Sequence, residues 1–483
     1  MKRSAIYIWS LLLVTAPAYA FNSGSTGADG ALNITANTTL QVPPSGIFNY
    51  TTITVAAGAT LTFKANTANT PVVMLATGTV GIFGTIDLDG KGGDSNGTPG
   101  AGGPGGFRGG RGGQPFVDKM DGERGHGPGG GMGGRSCTSQ GGGQQGGVGA
   151  SHAGVVNQAA IAACATDKPA ITGGPTYGSI AAIPLIGGSG GGGGATLLGN
   201  PNAFGGGGGG GAILIATSGS LNMFNGVGFG NIHASGAGGF AITVGGVNSS
   251  SGGGSGGTIH LIATSMSNLS TLSASGPNFG PPASGGRVRV DTETLVNSVS
   301  SQSASGSPVG TVAINVSPVL SQALPSGLPS LAITSVSGQA APAVPSGSSD
   351  IVLNDVPTGP VTILAEARNL PAASGVKLYI TPQRGSRVEI SGTLSGSADP
   401  LTATFQATLP AGHIGLQVVA TYNVTLAMGE ALSQYAEGEM VKAAEIVAGL
   451  DGTSHALLTT VSGKEFKVPT SVLWMVGVFA ENS

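Results

Sequence analysis

Glycine falls on a strict period of three in GTPGAGGPGGFRGGRGG, at Gly97, Gly100, Gly103, Gly106, Gly109 and Gly112. No other feature limits the fold so sharply, because this stretch has almost nothing to bury. A polyproline-II-type helix repeats every three residues and rises about 3.1 Å per residue. Glycine at each third position strips one face of side chains, so neighbouring backbones can approach and exchange N–H···O=C bonds. Runs packed this way form a polyglycine-II bundle. A flexible glycine-rich loop is the competing reading. Collagen is not supported, since six triplets are too few for a stable triple helix. Further runs occur at Gly125–Gly134, Gly187–Gly194, Gly205–Gly211 and Gly252–Gly257.

Glycine supplies 90 of the 483 residues and proline 28, yet 40% of the chain is hydrophobic and only 8% is charged. Disorder goes with the opposite balance, so an ordered chain of thin, repeated layers is expected, in two or more domains. Residues 1–20 read as a signal peptide. Lys2 and Arg3 lead an apolar run, Ile6 to Val14, too short to span a bilayer, and Ala18-Tyr19-Ala20 fits a cleavage site before Phe21. An uncleaved anchor is the alternative. The expectation is a secreted or cell-surface protein with no membrane span after cleavage. Without Lys2 and Arg3 the balance is 17 basic (19 − 2) against 22 acidic residues, net −5. That argues against nucleic acid as a partner, despite the RGG-like Phe107–Gly113. Cys137 and Cys164 are the only cysteines, and in an exported chain such a pair predicts a disulfide. A reactive thiol pair would be expected to show CxxC spacing, which is absent.

Three segments repeat: Val72–Gly93, Ala212–Gly239 and Thr258–Gly276. Each has an apolar run closing on Ala-Thr (Ala76-Thr77, Ala216-Thr217, Ala263-Thr264), then an alternating strand stopping at Gly90, Gly236 or Gly276. A fourth partial copy begins at Gly285. Short alternating strands with small-residue corners, repeated, predict an all-β chain built as a glycine-rich β-solenoid or β-helix. A β-sandwich made from the same strands is the alternative. The solenoid domain is placed at 21–300 with a glycine-rich insertion at 91–211. A Ser/Pro/Ala-rich linker follows at 301–349. Strands at Val361–Arg368, Val376–Thr381, Arg387–Thr393, Leu401–Thr408 and Ile414–Tyr422, spaced by turns, predict a small Ig-like β-sandwich over 350–424. The tail, 425–483, reads either as containing a helix over Glu437–Ala448 or as hairpins turning at Asp451-Gly452 and Ser462-Gly463.

Chemistry is sparse. Two GxSxG matches, Gly187–Gly191 and Gly253–Gly257, lie in glycine runs rather than at a strand-to-helix elbow, so they do not predict a hydrolase. No phosphate-cradling loop follows a strand. His233 and His260 occupy comparable places in the repeats and read as polar coil faces. His126 and His152 flank the cysteines without a zinc spacing. The best acidic cluster is Asp87, Asp89 and Asp94, read as a solvated coil corner, a calcium site or a pair of catalytic acids. No metal or cofactor is expected. The densest charged and aromatic segment lies in the insertion, and Phe107, Arg108, Arg111, Phe116, Lys119 and Arg124 are its candidate ligand-binding residues. The same residues could instead anchor the insertion onto the solenoid.

Asp29-Gly30-Ala31, Ala36–Leu40, Gly46–Thr52, Leu75-Ala76-Thr77 and Gly84–Asp87, in that order before a glycine-rich sequence, resemble a group of exported bacterial glycine-rich surface proteins of unassigned function. The resemblance covers roughly Phe21–Val290 and implies no activity. The glycine blocks also resemble, in composition, the polyglycine-II receptor-binding tips of phage adhesins. The function expected is therefore non-enzymatic: an exported structural or adhesion protein that meets polysaccharides or a cell-surface receptor, or self-assembles. A carbohydrate-active β-helix enzyme and an ice-binding protein are the alternatives.

Overall fold

The computed structural model describes residues 21–476, apart from 117–119, 137–143, 157–170, 183, 197–202, 245–246, 278–280, 299–301, 318–327, 343–344, 346–348, 354–356, 398, 425 and 450–453. Strands make up 40% of the described residues against 4% helix, so the fold is all-β. Cys137 and Cys164 lie outside the described residues, as do Lys119 and Asp451-Gly452.

Eight short strands come first: β1 Ala31–Ile34, β2 Thr38–Gln41, β3 Ile47–Tyr50, β4 Thr52–Val55, β5 Thr60–Lys64, β6 Val72–Ala76, β7 Val80–Ile82 and β8 Thr85–Asp87. Two-residue strands β9 Arg135–Ser136 and β10 Gln144–Gln145 pair within the insertion. Then follow β11 Ala212–Asn222, β12 Asn231–His233, the hairpin β13 Ala241–Val244 and β14 Val247–Ser250, β15 Thr258–Ser267, β16 Thr271–Ser273, β17 Arg287–Val296, β18 Gln302–Ser303 and β19 Thr311–Val316.

They stack as two parallel sheets, as in a β-helix. The first runs β1-β4-β7-β11-β15-β17-β19, with β3 and β6 joined through β11; the second runs β2-β5-β8-β12-β16-β18. Each turn of chain adds one rung to both. Period-two alternation sends one set of side chains inward, and register piles them into columns. Leu32, Ile53, Val80, Leu221, Met266 and Leu295 form one column. Phe48, Met74, Ile215, Leu261, Val290 and Ile314 form another. Leu61, Ile86, Ile232 and Leu272 face them from the second sheet. Each such side chain contributes about 1.5–3 kcal/mol when fully buried.

The repeats match, with one correction. By sequence Ala76, Ala216 and Ala263 align; in the sheet Ala76 pairs with Thr217, which pairs with Ala263. A one-residue slip would turn every side chain to the other face. The apolar inward set Ile213 and Ile215 fixes the register instead, and Thr217 takes the inward place, donating its hydroxyl to the Gly78 carbonyl. The register shifts again between Thr217 and Ser220, so that Ser220 pairs with Ser265 and Leu221 with Met266.

The glycine runs lie against this stack and bond to one another every third residue. The amides of Phe107, Gly110 and Gly113 donate to the carbonyls of Gly188, Gly191 and Gly194 at 2.8–3.0 Å. Gly109 and Gly112 donate to Gly100 and Gly97, while Gly206 and Gly209 donate to Gly110 and Phe107. Run 107–113 thus has bonded neighbours on several sides, some parallel and some antiparallel. A Cβ at Gly109 would fall on the Gly206 carbonyl, one at Gly191 on the Gly252 carbonyl, and one at Gly208 on the Ala101 carbonyl.

The C-terminal part packs differently. β20 Ser330–Val336, β21 Gln339–Ala340, β22 Val361–Arg368 and β25 Leu401–Ala407 form one antiparallel sheet. β23 Gly375–Pro382, β24 Val388–Thr393, β26 Ile414–Asn423, β27 Val441–Ala448, β28 Ser454–Thr460 and β29 Glu465–Pro469 form a second. Alternating Ile363, Ala365, Leu378, Ile380, Phe405, Val418 and Leu458 share one side-chain core. Two boundaries need correction. The 301–349 stretch is not strandless: β18 and β19 extend the parallel stack, and β20 and β21 belong to the antiparallel sheets. Ser and Ala interrupt the alternation in SLAITSV, whereas TVAINV alternates as Val312, Ile314 and Val316 but sits within a Ser/Pro/Ala-rich composition. The tail is not separate from 350–424 either, because β27, which replaces the helix option, joins β26 in register.

A short helix, α1 Leu426–Leu432, covers one side of this core, and a second, α2 Thr470–Val476, follows β29. Trp474 and Met475 of α2 join a cluster with Phe21, Ile47, Val73, Leu75, Leu214 and Ile262 on the outer face of the first parallel sheet. The Leu185 amide donates to the Met475 carbonyl at 2.9 Å. The two parts are thereby tied together.

Candidate functional site

Glycine bonding places the candidate binding residues. Runs 107–113 and 121–126 lie antiparallel, with the Glu123 and His126 amides donating to the Arg111 and Arg108 carbonyls. That pairing brings Glu123 beside Arg108. Its carboxylate accepts from Arg108 Nη2 at 3.2 Å, from the Arg111 amide at 2.9 Å and lies 3.0 Å from His126 Nε2. Burial pushes the Glu123 carboxyl up, but the Arg111 amide, His126 and Arg108 outweigh it and bring it down to about 2. Arg124 Nε donates to the Gly130 carbonyl at 3.1 Å. Phe107 fills the space beside Gly127, where a Cβ would strike its ring. Phe107, Arg108 and Arg124 are therefore engaged in bracing the runs. Arg111 and Phe116 point to solvent, Phe116 being 63% exposed.

Other apolar side chains stand out at turns: Ile180, Val227 at 86% exposure, Phe229 and Phe240. Phe229 stacks on Phe224 with ring centroids 4.4 Å apart, and Phe240 on Phe204 at 5.3 Å. These stacked pairs escaped sequence reasoning, because the partners lie far apart in an unpatterned stretch or flank a hairpin.

The acidic cluster divides. Asp87 Oδ1 accepts the Asp89 amide at 2.8 Å, and Asp89 Oδ1 accepts the Ser235 amide at 2.6 Å. Lys91 Nζ lies 3.9 Å from Asp87 and His233 Nδ1 lies 3.9 Å from Asp89. Burial raises the Asp89 carboxyl and Asp87 adds to this, against the Ser235 amide, His233 and Lys91. Asp94 is elsewhere, accepting the Asn96 and Thr98 amides in its own turn. The structure thus brings two of the three acids together. No group of three or more His, Cys, Asp or Glu among the described residues could hold a metal ion.

Two buried networks were missed. His233 and His260 do not occupy comparable places: His233 pairs in register with Asp87 in the second sheet, while His260 pairs with Leu214 and Arg289 in the first. His260 Nε2 lies 2.8 Å from Asp291 Oδ2, and Asp291 also accepts from Arg289 Nε and Asn315. Burial opposes ionisation of Asp291, yet these partners hold it well below the usual carboxylate range. The second network unites the two GxSxG serines. The Ser189 amide donates to Ser255 Oγ at 2.8 Å, and Ser189 Oγ donates to the Tyr177 hydroxyl at 2.9 Å. His152 stacks on Tyr177 and lies fully buried, its Nδ1 2.7 Å from the Gly256 carbonyl. A serine inside a glycine run was the available signal, since it marks a gap wide enough for a hydroxyl.

Comparison with protein-family models, with curated proteins and with solved structures finds no match.

Proposed function

We propose that the chain is an exported, non-enzymatic surface protein that adheres to polysaccharide. In this reading the parallel stack is a β-solenoid, the glycine runs are a polyglycine-II bundle grafted on it, and the antiparallel sheets are an Ig-like β-sandwich. One observation carries the adhesive role: exposed apolar and aromatic side chains, Phe116, Val227, Phe229 and Phe240, stand at turns on a scaffold whose interior is bonded through its backbone. A rigid support spares the entropy of ordering the contact surface on binding, and aromatic faces suit sugar rings. Export rests on residues 1–20, and the burial of Phe21 against the first sheet fits a mature chain that begins there.

The test is retention of the chain from Phe21 on a polysaccharide array, read for bound protein and for released sugar. Adhesion predicts binding without release, lost in a Phe116→Ser/Phe229→Ser variant with unchanged melting. Release of sugar would instead support a carbohydrate-active enzyme, which the raised Asp89 beside Asp87 favours; Asp89→Asn would then abolish it.

A further inference from the structure

The parallel stack ends abruptly at both poles. Among the described residues β19 pairs with β17 alone. Its inward side chains Val312, Ile314 and Val316 continue columns in which Val288 and Val290 are 1% and 0% exposed, yet they are 42%, 40% and 53% exposed themselves. The pole is also stepped. β19 covers β17 only from Arg287 to Thr292, and leaves Thr294–Val296 with no strand above them among the described residues. At the other pole β1 pairs with β4 alone among the described residues.

The step and β1 fit each other. Leu32 of β1 and Leu295 of β17 are the two ends of one inward column, whose inner members Ile53, Val80, Leu221 and Met266 are buried. Both column ends are only partly buried. A second copy moved along the stack axis would set its β1 over Thr294–Val296, parallel like every other rung, with Leu32 on Leu295. No charge opposes the contact: ALNI of β1, TTLQ of β2 and TVAINV of β19 carry none. Native edge strands are usually blunted by lysine, proline or a bulge, and TVAINV has neither lysine nor proline.

We infer that copies of this chain stack head to tail through the two poles of the parallel sheets, the β1 pole of one on the β17–β19 pole of the next. The contact is heterologous, so it does not close at two copies and builds a filament. It is independent of what the exposed turns bind.

Light scattering and negative-stain microscopy of the purified chain from Phe21, over a wide concentration range, test it. The expected result is a mass that climbs past twice the monomer, as rods of uniform width. Ile314→Lys and Leu32→Lys each block one pole and should each give monomers with unchanged near-ultraviolet circular dichroism. Mixed together they retain one compatible pair of poles, and should give a species of twice the monomer mass and nothing larger. A wild-type chain that stays monomeric, with amides of Val312–Val316 protected from exchange, would assign the pole to the chain's own 318–327 segment and overturn the inference. Dimers blocked by Ile314→Lys but not by Leu32→Lys would mean β19 pairing with β19, and would overturn it equally.

Discussion

The glycine bundle and the antiparallel sheets solve the same problem with opposite materials. The sheets exclude water with side chains: Phe405, Leu378, Ile363 and Val418 interlock, and the backbone is paired strand to strand. In the bundle the backbone is itself the packed surface, and side chains are absent because carbonyls occupy their places. The difference teaches where each region tolerates change. A side-chain core has neighbours that can shift rotamers, whereas a backbone core has none. The largest effect therefore belongs to a single added methyl group. Gly191→Ala should cost more than about 4 kcal/mol, the range reserved for severe core lesions, because its Cβ would meet the Gly252 carbonyl. Gly375→Ala in β23, where the nearest atom to a new Cβ is 3.8 Å away, should instead be neutral or stabilising by about 0.5–1 kcal/mol. Calorimetry of both variants checks the contrast, and a tolerated Gly191→Ala would break it.

The second test removes mass rather than adding it. Phe405→Ala should destabilise the antiparallel sheets by about 3–5 kcal/mol, and should lower the unfolding transition of that part first. α2 complicates the separation, since Trp474 and Met475 belong to this part but lie on the first parallel sheet. If the two transitions move together, α2 couples the regions. If only one moves, backbone and side-chain cores melt independently.

Legibility followed the same division. Alternation in VTILAEAR, VKLYIT and LTATFQA gave the antiparallel strands nearly to the residue, because each buries one face against a separate sheet. In the alternating strand that stops at Gly90, Ile82, Ile86 and Leu88 turn inward and are buried. The period of three in Gly97–Gly112 signalled close backbone approach, but which run meets which depends on turns that carry no pairing code. The register of β11 was misleading because Ala-Thr recurs while Ile213 and Ile215 decide the face. The candidate binding residues were found as a cluster, yet composition could not tell Arg108, committed to Glu123, from the exposed Arg111. That distinction depends on residues 107–113 and 121–126 running antiparallel.

A smaller effect comes from pH, and in the bundle it follows His152. Burial lowers the His152 imidazole, and Arg287 adds to this against the Gly256 bond, bringing it from 6.5 to about 3. A depressed folded value means the unfolded chain takes up the proton first. The stability tied to neutral His152 is present above about 6.5 and declines as pH falls toward about 3. The melting temperature of the bundle should fall across that window, and His152→Gln should flatten the fall. No such slope is expected from Tyr435, a buried titratable group of the antiparallel sheets, because burial pushes its phenol further up.

The least effect belongs to Glu123, which tests whether side chains add anything to a core already closed by carbonyls. Its folded value is held down at about 2 against 4.5 for a free carboxyl. Its contribution is thus present above about 4.5 and lost as pH falls toward 2. The carboxylate is 41% exposed and Arg108 45%, so solvent screens the pair and Arg108→Ala should cost less than about 1 kcal/mol. Glu123→Gln should do slightly more, because the carboxylate also accepts the Arg111 amide within the glycine ladder. If Glu123→Gln proved as damaging as Gly191→Ala, the runs would depend on their braces, and the backbone would no longer suffice as the packing material.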